Sequence, residues 1–275
     1  MGRMDGRVAI VTGGARGMGR AHAVTLAREG ASIVLVDIAA QIDSVQYPLS
    51  RPADLDNARA LVEAEGARCL TVQADVRDRA AIDDMVSRTV AEFGHIDVLV
   101  ANAGIIGFGT AFEQSHELFD AIIGTDLTGT WNCCRAVLPH MIGRGYGRIA
   151  ITSSGLVQYA MPNAVPYTAA KSGVVGLMKG LALEVIDKGV TVNVVQPYVV
   201  NTPGLQCEAT YRLFMPDKEE PTYDDFEATL RTLSRTGVPW IEAERISRAV
   251  LFLVEEEASD ITGTTVEIPG GWGHP

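Results

Sequence analysis

Positive charge is scarce in this chain: 23 lysines and arginines face 34 aspartates and glutamates across 275 residues, a formal net charge of −11. No basic run stands out, which argues against a nucleic-acid partner or an anionic membrane surface. Cysteine is scarcer still. Four are too few for a disulfide scaffold, and Cys133 and Cys134 are adjacent while Cys69 and Cys207 stand alone. There is no C-x-x-C and no Cys/His spacing of metal-binding type, so buried, reduced thiols are expected rather than a zinc site. No apolar run approaches membrane-spanning length, and the stretch from Met1 to Gly6 lacks the apolar core of a secretory leader. A reducing cytoplasm is the simplest home.

What the chain does have is 47% hydrophobic residues, enough to bury a large core without staples. Length alone allows one α/β domain or two small ones. The β-branched run Arg7–Val11 ends at Thr12-Gly13, as a buried strand should. Gly13-Gly14-Ala15-Arg16-Gly17-Met18-Gly19 follows, then helical spacing from Arg20 to Glu29 and a stop at Gly30. Glycine loops also occur as plain turns. Here the strand before and the helix after supply the context of a pyrophosphate site, where backbone approaches the phosphates and a helix N-terminus offers free N–H groups.

Ser32–Val36 reads as a second strand with Asp37 at its end. An acid there accepts hydrogen bonds from the adenosine ribose and repels a 2′-phosphate. Ile38 follows where a basic residue would suit NADP, so NAD is expected, with Arg16 in the glycine loop the one residue pulling the other way. Ala39 to Leu55 is too long for an ordinary α/β connection and carries two prolines among Ile42, Val45, Tyr47 and Leu49. It is either a tolerated surface insertion or a flap over the adenosine half of the cofactor. Its root beside Asp37 favours the flap.

Strands and helices then alternate: helix 54–65, strand 68–73, helix 77–93, strand 96–101, a long helix 119–143, strand 147–152, helix 167–187 and strand 189–196. Asp75-Val76 and Asn102-Ala103-Gly104 fall at strand ends, the first offering a carboxylate to an adenine amino group. From Gly204 to Trp240 the pattern loosens into a lid or substrate-binding excursion, before a helix at 242–256 and a strand at 261–268. The expectation is α/β: a single doubly wound Rossmann domain over 1–275, a parallel sheet of about seven strands, a flap near 39–55 and a small helical lid near 203–240.

The chemistry concentrates between Ser154 and Lys171. Pro166 suits a helix start, which places Tyr167 and Lys171 four apart on one face. Tyr-x-x-x-Lys is common as a plain solvated face, with the phenol packed under a lysine stem. A nearby ammonium also favours a phenolate, and a tyrosine tuned this way takes a proton from an alcohol or returns one to a ketone oxygen. Ser154 is placed to hydrogen-bond that same oxygen.

With these residues laid out, the chain resembles the short-chain dehydrogenase/reductase family over nearly its whole length. The matching elements are Thr12-Gly13-x-x-x-Gly17-x-Gly19, Asp75-Val76, Asn102-Ala103-Gly104, and Ser154 thirteen residues before Tyr167-x-x-x-Lys171. Pro197…Val200-x-Thr202 and Ile261-Thr262-Gly263 match too. The insertion after Asp37 and the segments Tyr211–Asp217 and Val238-Pro239-Trp240 look like the mycofactocin-associated group, which includes carveol dehydrogenases. That resemblance implies a tightly held NAD that passes electrons to mycofactocin, a peptide-derived redox cofactor, and a homotetramer paired through the helices of Asp126 and Tyr167.

The resemblance also implies roles. Tyr167 is the general acid/base, Lys171 lowers its pKa and binds the nicotinamide ribose, Ser154 orients the substrate oxygen, and Thr202 with the Val200 backbone holds the carboxamide. Two positions depart from the pattern. Asp126 stands where the family has asparagine, and an ionised carboxylate there favours the charged lysine, so a working enzyme with an altered pH profile is expected. Tyr198 stands where glycine is usual, either packing at the nicotinamide or narrowing the pocket. Ile105, Ile106, Phe108, Leu156, Val157, Tyr159, Met161 and Tyr198 are the expected pocket walls, which suit an apolar, cyclic or terpenoid secondary alcohol. The neighbouring alternative is 3-oxoacyl thioester reduction, to which the scattered Arg212, Lys218, Arg231 and Arg235 lend little. A rival of another class is a dinucleotide-binding sensor without catalysis, which Asp126 alone keeps open.

Overall fold

A computed structural model describes residues 2–272. Its strands are β1 (Val8–Thr12), β2 (Ser32–Asp37), β3 (Cys69–Gln73), β4 (Val98–Ala101), β5 (Gly147–Thr152), β6 (Val190–Pro197) and β7 (Thr265–Ile268). They form one sheet in the order β3-β2-β1-β4-β5-β6-β7, with every neighbouring pair parallel. Parallel neighbours require crossovers, and helices provide them: α1 (Gly17–Arg28), α2 (Pro52–Ala64), α3 (Arg79–Phe93), α4 (His116–Ile122), α5 (Thr130–Arg144), α6 (Val165–Val185) and α9 (Ala243–Val254).

Alternation along the strands feeds two cores. Ile10, Val34, Val36, Leu99, Ile149 and Val192 pack with Ile82 and Met85 of α3, Val137 of α5 and Val174 and Met178 of α6. The residues between them (Ala9, Val11, Ile33, Leu35, Val98 and Val100) pack on the other face with Leu26 of α1, Ala58 of α2 and Val250 of α9. A sheet buried on both faces is why its strands read as unbroken apolar runs rather than as alternating ones. Strand order reverses between β1 and β4, and that switch point opens the crevice in which this architecture binds ligands.

Three features of the fold bear on the site. The long helix expected over 119–143 is broken: between α4 and α5 the backbone takes a π-helical turn over Ile123–Gly129. A π turn adds a residue to the ladder and swings the following side chains, and it carries Asp126 to full burial. The lid consists of α7 (Glu208–Phe214) and α8 (Tyr223–Leu233), held over the cleft by Phe226, Leu230, Trp240 and the tail residue Trp272. The insertion after Asp37 is ordered without regular structure, and it reaches further than the adenosine end. Val45 and Tyr47 bury against Ile105, Leu118, Ile122 and Ala170, and Gln46 makes two 2.9 Å backbone hydrogen bonds with Phe108. It is a strap across the cleft rather than a cap on one end, because its apolar residues find their core beyond α4.

Candidate active site

The glycine loop forms as expected. Gly13 and Gly17 take left-handed φ values of 65° and 54°, and a Cβ on Gly19 would lie 2.0 Å from the Gly13 carbonyl oxygen. No side chain caps the N-terminus of α1, so its first N–H groups face the cleft beside Arg16, Gly17 and Met18.

Asp37 sits at the end of β2 with its carboxylate partly spoken for. It accepts from the Ala15 and Ala39 amides, each at 3.0 Å, and from the Ser50 hydroxyl at 2.5 Å. It therefore ties the glycine loop to both roots of the strap, a structural duty that the sequence reading missed, and it lines the cleft with Ile38. Asp75 is gripped by the Arg77 guanidinium at 2.5 Å, so its expected role toward an adenine competes with an ion pair, while Val76 lines the wall beside it. Asn102 lines the cleft and is held by protein partners: its amide donates to the Thr12 carbonyl at 3.1 Å and its oxygen accepts from Thr152 at 3.4 Å, locking β1, β4 and β5 together. Ala103 and Gly104 leave the cleft floor bare. A Cβ on Gly104 would fall 2.9 Å from the Asp126 carboxylate and 3.1 Å from the Lys171 ammonium. Val200 bridges to Ile241, and Thr202 lies against Gly17.

At the far end of the cleft Ser154, Tyr167, Lys171 and Asp126 converge. The Lys171 side chain is 4% exposed and donates to the Thr152 carbonyl at 3.0 Å; its nitrogen stands 3.1 Å from Asp126 Oδ2 and 5.6 Å from the centre of the Tyr167 ring. The Ile105 amide donates to Asp126 Oδ1 at 2.9 Å. Ser153, which β5 delivers beside Ser154, donates to the Lys171 carbonyl at 2.8 Å and so fixes α6 to the end of β5. Ser154 hydrogen-bonds the phenol and also accepts from the Leu156 amide at 3.2 Å.

The electrostatics differ from the sequence expectation in sign. Burial pushes the Tyr167 phenol up; Lys171 pulls it down, Asp126 pushes it up again, and the net direction is upward. For Lys171, burial works against the charge, but Asp126 and then Tyr167 outweigh it and hold the ammonium charged. The lowering by lysine is present, then, but burial of the phenol outweighs it, and the counter-ion beside the lysine weakens it further.

These groups line a cavity of about 530 Å³, within the range of small-molecule sites. Ile105, Ile106, Phe108, Leu156, Tyr159, Met161 and Tyr198 contribute walls as expected; Val157 does not. The expected lid contributes Leu213 and Phe214, while the sequence reading missed Thr125 and Trp272, which enter through the π turn and the tail, segments with no local signal of a site. Tyr198 narrows the substrate end: its ring lies against Gly155 and 6.0 Å from that of Tyr159, and its hydroxyl donates to Glu267 at 3.2 Å. Arg212, Lys218 and Arg231 pair with Glu208, Asp225 and Glu227 within the lid, which leaves them poor anchors for an acyl thioester.

A doubly wound sheet, a glycine loop at its switch point and a Ser/Tyr/Lys constellation define a dinucleotide-dependent oxidoreductase. The short chain dehydrogenase family profile matches residues 7–210, and the chain belongs to that family. It is 42% identical to the (−)-trans-carveol dehydrogenase of Rhodococcus erythropolis, with 98% of this chain and 99% of that protein covered. Among solved structures it is similar to carveol dehydrogenase from Mycobacterium avium in complex with NAD, with a TM-score of 0.94, 40% identity and 98% of each chain covered. It is also similar to levodione reductase, with a TM-score of 0.85, 31% identity and 98% of each chain covered.

Proposed function

We propose that the protein is an NAD-dependent oxidoreductase acting between an apolar cyclic secondary alcohol and its ketone, with carveol-like terpenoids as the substrate class. The observation that carries this reading is the cleft itself. Its charged lining residues sit in the glycine loop, at the ends of β2 and β3 and at the Tyr167 site, while the substrate end is apolar. The residues present fit the cofactor: glycines that a Cβ would jam, uncapped helix N–H groups, and an acid at the end of β2. When bound, NAD supplies the carbon that accepts or donates hydride.

The chain's residues do the rest. Gly13, Arg16, Gly17, Met18 and Gly19 hold the pyrophosphate, Asp37 and Ile38 the adenosine ribose, and Asp75 and Val76 the adenine. Asn102, Ala103 and Gly104 shape the floor, and Val200 and Thr202 hold the carboxamide. Lys171 holds the nicotinamide ribose, Ser154 fixes the substrate oxygen, and Tyr167 gives or takes its proton. The strap and lid act as cofactor flap and substrate lid, closing the site from opposite sides. Retention of NAD is supported by the strap's burial across the cleft, and electron transfer to mycofactocin rests on the family resemblance alone. A homotetramer paired through the helices of Asp126 and Tyr167 rests on the family resemblance, and reduced cysteines suit the cytoplasm.

The test is turnover of carveol with NAD, or carvone with NADH, followed by nicotinamide absorbance with mycofactocin absent and then present. Wild type is expected to turn over, and Tyr167→Phe to lose roughly 10²–10⁴-fold while still binding NAD. A protein that binds NAD but is inactive in wild type on every secondary alcohol and ketone offered would instead be the sensor.

A further inference from the structure

The pairing of Asp126 with Lys171 has a consequence for proton transfer. We propose that Asp126 acts as the fixed counter-ion of Lys171 and thereby sets the pH at which Tyr167 changes from proton donor to proton acceptor, keeping it a donor through neutral pH. The inference rests on the dehydrogenase reading above and concerns the positioning and charge of its acid/base group.

The geometry comes first. The carboxylate does not float in the site: one oxygen accepts from the Ile105 amide at 2.9 Å, and the other lies 3.1 Å from the lysine nitrogen. The lysine is fixed from its other side by the Thr152 carbonyl at 3.0 Å, and both residues are buried. The Cβ-less Gly104 leaves the space in which the two charges meet. An isolated ammonium beside a phenol stabilises the phenolate as a full charge. An ammonium with a carboxylate in contact acts instead as a dipole, whose field falls off faster with distance, so the phenol feels only the difference of two opposing terms.

Burial is the largest influence on Tyr167 and pushes it up whatever its neighbours; the charged and polar groups facing it add to or oppose that. Lys171 on its own helix favours the phenolate, Asp126 on the π turn opposes it, and Ser154 after β5 stabilises it by a hydrogen bond. Tyr47 of the strap also faces the site and is itself pushed up chiefly by burial, with Arg16 facing Tyr47 in turn. The net direction for Tyr167 is upward. In reduction the phenol O–H bond breaks as the carbonyl oxygen takes the proton and the carbonyl carbon takes hydride from NADH, and the phenolate regains its proton from water. Oxidation is the reverse and needs the phenolate first.

The experiment compares wild type with Asp126→Asn in two readouts. The first is the phenolate ultraviolet difference signal of the protein without cofactor, with Tyr167→Phe subtracted to isolate this side chain. The second is the pH profile of kcat/KM for ketone reduction. Wild-type Tyr167 is expected to ionise above the ordinary tyrosine value of about 10, and Asp126→Asn to lower both the phenolate midpoint and the alkaline break by about one pH unit or more. Superimposable titrations, or a wild-type midpoint below that of a free phenol, overturn the proposal. If Asp126→Asn does not fold, Asp126→Ala carries the same two titrations in its place. If no turnover is found, the dehydrogenase reading fails, while the phenolate titration still judges the charge pairing.

Discussion

At the scale of single residues the site is tuned by contacts that no motif records. Gly155 and Tyr198 show this. Tyr198 replaces the usual small residue, and its ring has settled where a side chain on Gly155 would otherwise stand: a Cβ there would meet ring carbons at 2.4 to 2.6 Å. The ring cannot swing away freely, since its hydroxyl is tied to Glu267, which also accepts from Gln158 at 3.1 Å. Gly155→Ala is therefore expected to destabilise the protein by about 1–3 kcal/mol in thermal or urea unfolding, an overpacking penalty. Adding Tyr198→Gly should recover part of that loss, so that the two changes are non-additive. Equal losses in the two backgrounds would show that the ring does not occupy that space.

Among the elements, the strap decides how the cleft opens. Its middle is anchored by Tyr47, whose hydroxyl accepts from the Ile106 amide at 3.3 Å and whose ring lies where a Cβ on Gly204 would meet it at 3.8 Å, so it stands between the floor loop and the root of the lid. Removing that aromatic takes away the strap's largest buried group while leaving its two Asp37 roots intact. Tyr47→Ala is expected to release NAD more readily. Denaturing mass spectrometry after desalting should find the dinucleotide near one per chain in wild type and depleted in the variant. Equal retention would locate the hold on NAD elsewhere. The sequence reading identified the insertion and its Asp37 root but placed it over the adenosine end alone. Its destination depends on where the α4 core lies, a long-range fact that no local pattern carries. The form of the π turn has no local signal either: Gly124 and Gly129 mark a weak stretch of helix without saying how it bends.

For the molecule as a whole, a buried histidine links stability to acid. His22 on α1 is fully buried, its Nδ1 2.8 Å from the Ser247 hydroxyl of α9, and that hydroxyl donates to the Ala243 carbonyl at 3.1 Å. The imidazole is therefore the donor in the contact, and burial lowers its pKa from 6.5 to about 3. Because the folded state refuses a proton that the unfolded chain takes up, the histidine's contribution is complete above pH 6.5 and is lost as pH falls from there toward 3. Within that window stability should fall by about 1.4 kcal/mol per pH unit on account of this group. His22→Asn, which does not titrate, should flatten that part of a pH series of urea melts. An unchanged slope would mean that other groups govern acid unfolding.

The sequence by itself determined the fold class and the chemistry: the unbroken apolar runs, the glycine loop between strand and helix, and the spacing of Ser154, Tyr167 and Lys171 follow from backbone sterics and local periodicity. It also exposed Asp126 as out of place. Only the tertiary structure decided what that carboxylate does. Burial and the 3.1 Å contact with Lys171 set the balance of charge around the phenol, and such balances depend on distances between parts of the chain that are remote in sequence. The same holds for the strap's landing point and for the entry of Trp272 into the cleft, since both are settled by which surfaces remain to be buried once the sheet has formed.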